Sequence, residues 1–109
     1  MLLRHATPLR NLGSIQRSGL LCARSQGKLP VVWLHAPSAS TWAVLHTIKR
    51  HGGRVEGVII VEVEIPRQWL RRSRKGLWYC VRDITPEHFR RLIAFQELAG
   101  ASADGRRAG

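Results

Sequence analysis

The sequence is short of acid. Its 109 residues carry 7 Asp and Glu against 18 Lys and Arg, a formal net charge of +11. From Met1 to Val55 there is no carboxylate at all, while Arg4, Arg10, Arg17, Arg24, Lys28, Lys49, Arg50 and Arg54 all lie there. Cysteine is scarce too. Cys22 and Cys80 are too few for a disulfide scaffold or a zinc site, and no CxxC occurs. His5, His35, His46, His51 and His88 fall at no zinc-protease spacing, so no metal is expected. No run approaches the ~20 apolar residues that cross a bilayer, and the longest, Val58 to Val61, is strand-sized. There is no phosphate-binding P-loop, no Gly-rich dinucleotide fingerprint and no nucleophile–base pair. The length excludes a two-domain enzyme, a full doubly wound dinucleotide-binding fold and an eightfold α/β barrel.

What remains is ordinary globular material, 44% hydrophobic and 23% charged. The arginine surplus favours a polyanionic partner, either nucleic acid or a phosphate-rich cofactor, and a solvated basic surface is the plain alternative. Arginine suits bidentate phosphate recognition in a way lysine does not. Residues 1–24 are Arg-rich, acid-free and contain Ser, a composition that resembles a mitochondrial presequence. They also read as a strand followed by a capped helix, and we expect them to belong to the domain. The expected location is cytoplasmic, or mitochondrial if 1–24 is a presequence.

Leu2 and Leu3 open an extended segment. Thr7-Pro8 signals a helix start, with Thr as N-cap and Pro at the first helical position. Leu9, Leu12 and Ile15 follow at helical spacing, and Gly19 suits the left-handed position after the helix. Val31 to Leu34 reads as a buried strand. Trp42, Leu45 and Ile48 mark one face of a second helix that ends at Gly52-Gly53. Gly57 to Ile65 is the clearest strand, with Val58, Ile60, Glu62 and Glu64 on one face. Trp69 and Leu70 sit on a short helical turn, Arg71 to Gly76 is a basic loop, and Leu77 to Val81 is a strand. Phe89 to Phe95 fits helix or strand equally. Residues 1–97 form one compact domain and 98–109 a disordered tail. Helices early and strands late indicate an α+β class.

Several strings, in order, resemble the ADP-ribosyltransferase fold. The branch most similar is the small RNA 2′-phosphotransferases, with DNA ADP-ribosyltransferase toxins next. Arg4-His5-Ala6-Thr7 resembles the opening strand, and Asn11 to Leu20 the helix after it. Val31 to His35 resembles the second strand and Gly57 to Pro66 the long central one. Lys75 to Cys80 with Asp83 to Glu87 is similar to the phosphotransferase ending. The resemblance implies two small mixed or antiparallel sheets around a cleft, with two early helices. It implies NAD as cofactor, catalytic roles for His5 and Arg17, and a cofactor site of Arg4, His5, Thr7, Arg24, Lys28 and Trp33. In this reading His5 meets the ribose beside nicotinamide, and Trp33 stacks where many members carry Tyr. Two departures stand out: Leu77 to Cys80 holds no carboxylate where Glu-dependent transferases carry one, and the N-terminal winged-helix domain of the phosphotransferases has no counterpart.

Each residue also has a plainer role. His5 fits a satisfied core or surface histidine, and Trp33, Trp42 and Trp69 fit a core. Trp78 and Tyr79 alternate in a strand, so one faces outward, where it suits stacking on a base. Glu62 and Glu64 fit a solvated strand surface. Cys80 reads as buried and inert. Arg71, Arg72, Arg74 and Lys75 suit either a solvated loop or a phosphate backbone. The expected function is therefore an NAD-dependent transferase, ADP-ribosyl or RNA 2′-phosphotransferase in type, acting on a nucleic-acid or phosphorylated substrate. The alternative is a non-catalytic basic module that binds nucleic acid.

Overall fold

The structure, a computed structural model, describes residues 1–25 and 27–98. The chain runs β1 (Leu2–Pro8), α1 (Leu12–Ser18), β2 (Val32–His35), α2 (Ser40–His51), β3 (Val58–Glu64), β4 (Leu70–Arg74), β5 (Leu77–Cys80) and β6 (Phe89–Ala94), with short 3-10 turns between them. The six strands make one sheet in the order β4-β5-β2-β1-β3-β6. Every pairing between them is antiparallel.

β3 lies next to the β6 edge and is covered on both faces, which is why its sequence is nearly unbroken Val and Ile. Val61 and Val63 point into a cluster with Leu3, Leu34, Ile15, Leu20 and Ile84. Val58 and Ile60 point the other way, to Val44 and Ile93, with Ala6 and Ile48 packed alongside. α1 therefore covers one face and α2 the other. α2 buries Ser40, Ala43, Val44 and Thr47. These are small or short side chains, so the helix rides close to the sheet.

The expected pair of sheets is not what forms. β1 pairs with β3 through all seven residues, and β2 with β5 through all four, but β1 meets β2 at the single rung Arg4↔His35. Two three-stranded halves are thus joined into one sheet by one rung. Past that rung β1 and β2 run unpaired, and the sheet is open between them.

Other expectations change with tertiary context. Pro8 is not the first residue of a helix. Its extended backbone (φ −57°, ψ 138°) ends β1 opposite Val58, and α1 starts only at Leu12. Thr7 serves as an acceptor for the Asn11 side-chain amide (3.1 Å) in place of capping a helix. The basic run is a strand: Leu70 to Arg74 pairs with β5 across a turn in which Gly76 takes φ 78°. Arginines suit such an edge because they oppose pairing with another chain. Phe89 to Ala94 is the sixth strand. Trp42 lies on the open side of α2 at 49% exposure, not in the core, and Trp69 packs partly buried against the first cluster. Glu62 is only 5% exposed, so it is no solvated strand residue. Of the expected tail 98–109, all but Leu98 lies outside the described residues.

Gly19 fixes α1 to the sheet. It has φ 87°, its N–H bonds the Ile15 carbonyl at 2.7 Å, and a Cβ there would overlap the Ile84 carbonyl oxygen. Next to it Leu20 and Ile84 exchange a pair of backbone bonds of 2.8 and 2.9 Å. Gly19→Ala combines left-handed strain with that overlap and is expected to destabilise by at least about 2 kcal/mol. Denaturant unfolding checks this; an unchanged midpoint would show that the turn can relax.

Candidate functional site

A cleft of about 590 Å³ opens where β1 and β2 part. β1 contributes His5 and Thr7, and β2 contributes Val32 to His35. The segment around α1 contributes Asn11, Ile15, Leu20 and Arg24. α2 adds Trp42, His46, Thr47, Arg50 and His51, and the β4–β5 hairpin adds Arg74 and Leu77. Among the described residues no Asp or Glu lines it. Its volume lies within the range of roughly 300–1,000 Å³ usual for small-molecule and cofactor sites.

His5 sits at the parting of the strands. Its Nδ1 lies 2.7 Å from the Trp33 carbonyl oxygen. A carbonyl only accepts, so Nδ1 carries the proton and donates it. The imidazole thereby bridges β1 and β2 just past the last backbone rung. Burial lowers its pKa from the ordinary 6.5, and the Trp33 bond opposes that only in part. At neutral pH the ring is uncharged, and Nε2 is left as a hydrogen-bond acceptor. His51 is also lowered, first by burial and then by the neighbouring Arg10, Arg50 and His46. The guanidinium groups of Arg24, Arg50 and Arg74 bring positive charge to the cleft.

Behind the cleft lies a buried polar chain. Arg4 Nε donates to Glu62 Oε2 at 2.8 Å, and Arg4 Nη1 to Ser40 Oγ at 3.0 Å. Arg91 Nε donates to the other Glu62 oxygen at 3.2 Å. Ser40 gives its single proton to the Pro37 carbonyl (2.8 Å), so His35 Nε2, 3.4 Å away, is the protonated nitrogen of its ring. Burial alone would raise the Glu62 pKa, but the two arginines hold it below the usual carboxylate range. His35 is pushed down to about 4, first by burial and then by the charges of His5 and Arg4. Cys80 is wholly buried and its thiol is raised above the ordinary value, as is that of Cys22, mainly by burial in both cases.

The structure gathers four of the six anticipated cofactor residues, His5, Thr7, Arg24 and Trp33, around one cleft. Trp33 is 37% exposed. Arg24 is tied to the Ser14 hydroxyl on α1. Arg4 lies outside the lining because Glu62 and Ser40 take its guanidinium. Arg17 and Lys28 are exposed and also outside the lining. Of Arg71, Arg72, Arg74 and Lys75, all exposed on the hairpin, only Arg74 reaches the cleft. The α2 wall went unread in the sequence. Trp42, His46 and Arg50 are spaced four apart and share one helical stripe, a signal hidden by pairing Trp42 with Leu45 and Ile48 as a core face.

The sequence matches no known family model, and no curated protein matches it either.

Two stability predictions follow from the buried chain. Glu62→Ala leaves Arg4 charged and unpaired inside the protein, which typically costs about 3–5 kcal/mol. The melting temperature is expected to fall by more than about 10 °C; a fall of a degree or two would show that water reaches Arg4. His35 sets an acid limb. The unfolded chain protonates this residue near pH 6.5 while the folded one resists to about 4. Stability is therefore full above pH 6.5 and declines between 6.5 and about 4, by up to about 3 kcal/mol at ~1.4 per unit. Glu62, lowered from 4.5, adds a loss below that value. In His35→Gln the first decline should flatten in urea titrations across that range; an unaltered slope would remove His35 as its origin.

Proposed function

We propose that the protein is an NAD-dependent transferase of the RNA 2′-phosphotransferase type, acting on a nucleic-acid or other phosphorylated acceptor. The observation that carries this reading is His5: a neutral imidazole, its Nδ1 committed to the Trp33 carbonyl, offering Nε2 within a cleft of cofactor size. That acceptor suits a ribose hydroxyl. The Trp33 indole, partly open on β2, offers a face to a planar ring. Thr7, positioned by Asn11, and Arg24, held by Ser14, stand on the α1 side, where Arg24 suits the pyrophosphate.

His5, Thr7, Trp33 and Arg24 would hold NAD, which when bound would supply the ribose carbon to be transferred and nicotinamide as its neutral leaving group. The chain's part is placement and electrostatics. His5 orients the ribose, and the guanidinium groups hold anionic oxygens in position. The absence of a carboxylate from the described lining favours the phosphotransferase type over Glu-dependent ADP-ribosylation. Glu62 is not available to substitute, because Arg4 and Arg91 occupy both its oxygens.

Thermal shift with NAD and with ADP-ribose tests the proposal. At about a hundredfold excess over Kd, NAD should stabilise by roughly 2.7 kcal/mol, seen as a melting temperature several degrees higher. His5→Ala should abolish that shift. The NAD affinity should stay level down to pH 6.5 and weaken only where His5 gains its proton, below that value. Absence of any NAD shift in the wild-type protein overturns the reading.

A further inference from the structure

α2 packs over β1 and β3, and it touches the β2-β5-β4 half of the same sheet face mainly where Ser40 meets His35; among the described residues no other helix packs closely on that half. That half is not apolar. Trp33 and Tyr79 are direct partners on β2 and β5, with ring centroids 5.3 Å apart and planes tilted by 59°. Arg71 stands opposite Tyr79 on the edge strand, with one guanidinium nitrogen anchored to the carbonyls of Gln68 and Leu70 (3.1 and 2.9 Å). The ladder shifts between Arg72 and Arg74, which sets Arg74 opposite Leu77 and brings it to the cleft. Such a bulge re-aims a side chain from one face of a strand to the other. Across the cleft, Trp42 lies parallel to His46 at 5.1 Å and 12°. No acidic residue occurs from Ile65 to Val81.

We propose that this face binds single-stranded nucleic acid as the acceptor: bases stack on Tyr79 and on Trp42, Arg71 and Arg74 hold the intervening phosphates, and Trp33, tilted against Tyr79, stays with the cofactor ring. The inference rests on the transferase reading for its meaning as an acceptor site, but the binding stands on its own. Partly exposed rings call for unstacked bases, which a duplex does not offer, and arginines beside them call for a charged backbone. An acidic peptide would satisfy the cations and leave the rings without partners. Trp33 closes one end of the track at the cleft, so the strand reaches the place where His5 acts.

The test is fluorescence anisotropy with a labelled single-stranded oligonucleotide of about a dozen nucleotides, as DNA and as RNA, against a duplex of equal length and a polyglutamate competitor. Binding of either single strand is expected, tighter than the duplex and resistant to polyglutamate. Tyr79→Ala and Trp42→Ala should each weaken it roughly 5- to 100-fold, while Tyr79→Phe, which keeps the ring, preserves it. Arg71→Gln with Arg74→Gln should lower the salt slope by about one to two. Equal binding of duplex, effective competition by polyglutamate, or indifference to both aromatic truncations overturns the proposal. Oligonucleotide binding with no NAD response removes the transferase reading and leaves this one; an NAD response with no oligonucleotide binding does the reverse.

Discussion

The fold turns on one buried charge. Arg4 and Glu62 are direct cross-strand partners on β1 and β3, joined at 2.8 Å, and both are almost withdrawn from solvent. Neither ion could be buried alone. Once paired, they recruit everything around them. The second carboxylate oxygen reaches Arg91 on β6, the second guanidinium nitrogen reaches Ser40 at the start of α2, and Ser40 adjoins His35 at the end of β2. Four strands and a helix are tied through one continuous polar chain. The rung Arg4↔His35, the only one between the halves of the sheet, lies directly in it.

That placement accounts for the cleft. The halves are held firmly at one point, and nothing in the backbone ladder holds them past it. His5, the residue after Arg4, spans the widening gap with its side chain and so acquires its tautomer and its lowered pKa from the same geometry. The candidate site is a by-product of where the sheet stops pairing. Its chemistry comes from the residues stationed at that boundary.

Much of the local structure was legible. β3 declared itself by its β-branched run, and β2 by Val31 to Leu34. The positive φ at Gly19 was anticipated from its place after α1. What was not legible depended on contacts far apart in sequence. Arg4 and Glu62 lie 58 residues apart, and nothing near either one announces the pair. Without it Glu62 looks solvated and Arg4 looks free for a phosphate. The arginine-rich hairpin read as a loop because its strand character comes from pairing with β5, not from its own propensity. For the site, His5, Thr7, Arg24 and Trp33 were singled out by a resemblance in order and spacing. The α2 stripe was missed because helical periodicity alone does not say which of two faces meets the sheet.

Both edges of the sheet, β4 and β6, are lined with arginine: Arg71, Arg72 and Arg74 on one, Arg90 and Arg91 on the other. An unpaired strand edge is a template for another chain, and charge repulsion is among the common means of blunting it. The basic surplus thus has a second consequence, unrelated to any ligand. It keeps one copy from adding its edge to the next, and salt that screens the surface charges relaxes this safeguard as well. A polyanion laid along β4 would have the opposite effect from salt, since it would occupy the edge while neutralising the charge that protects it.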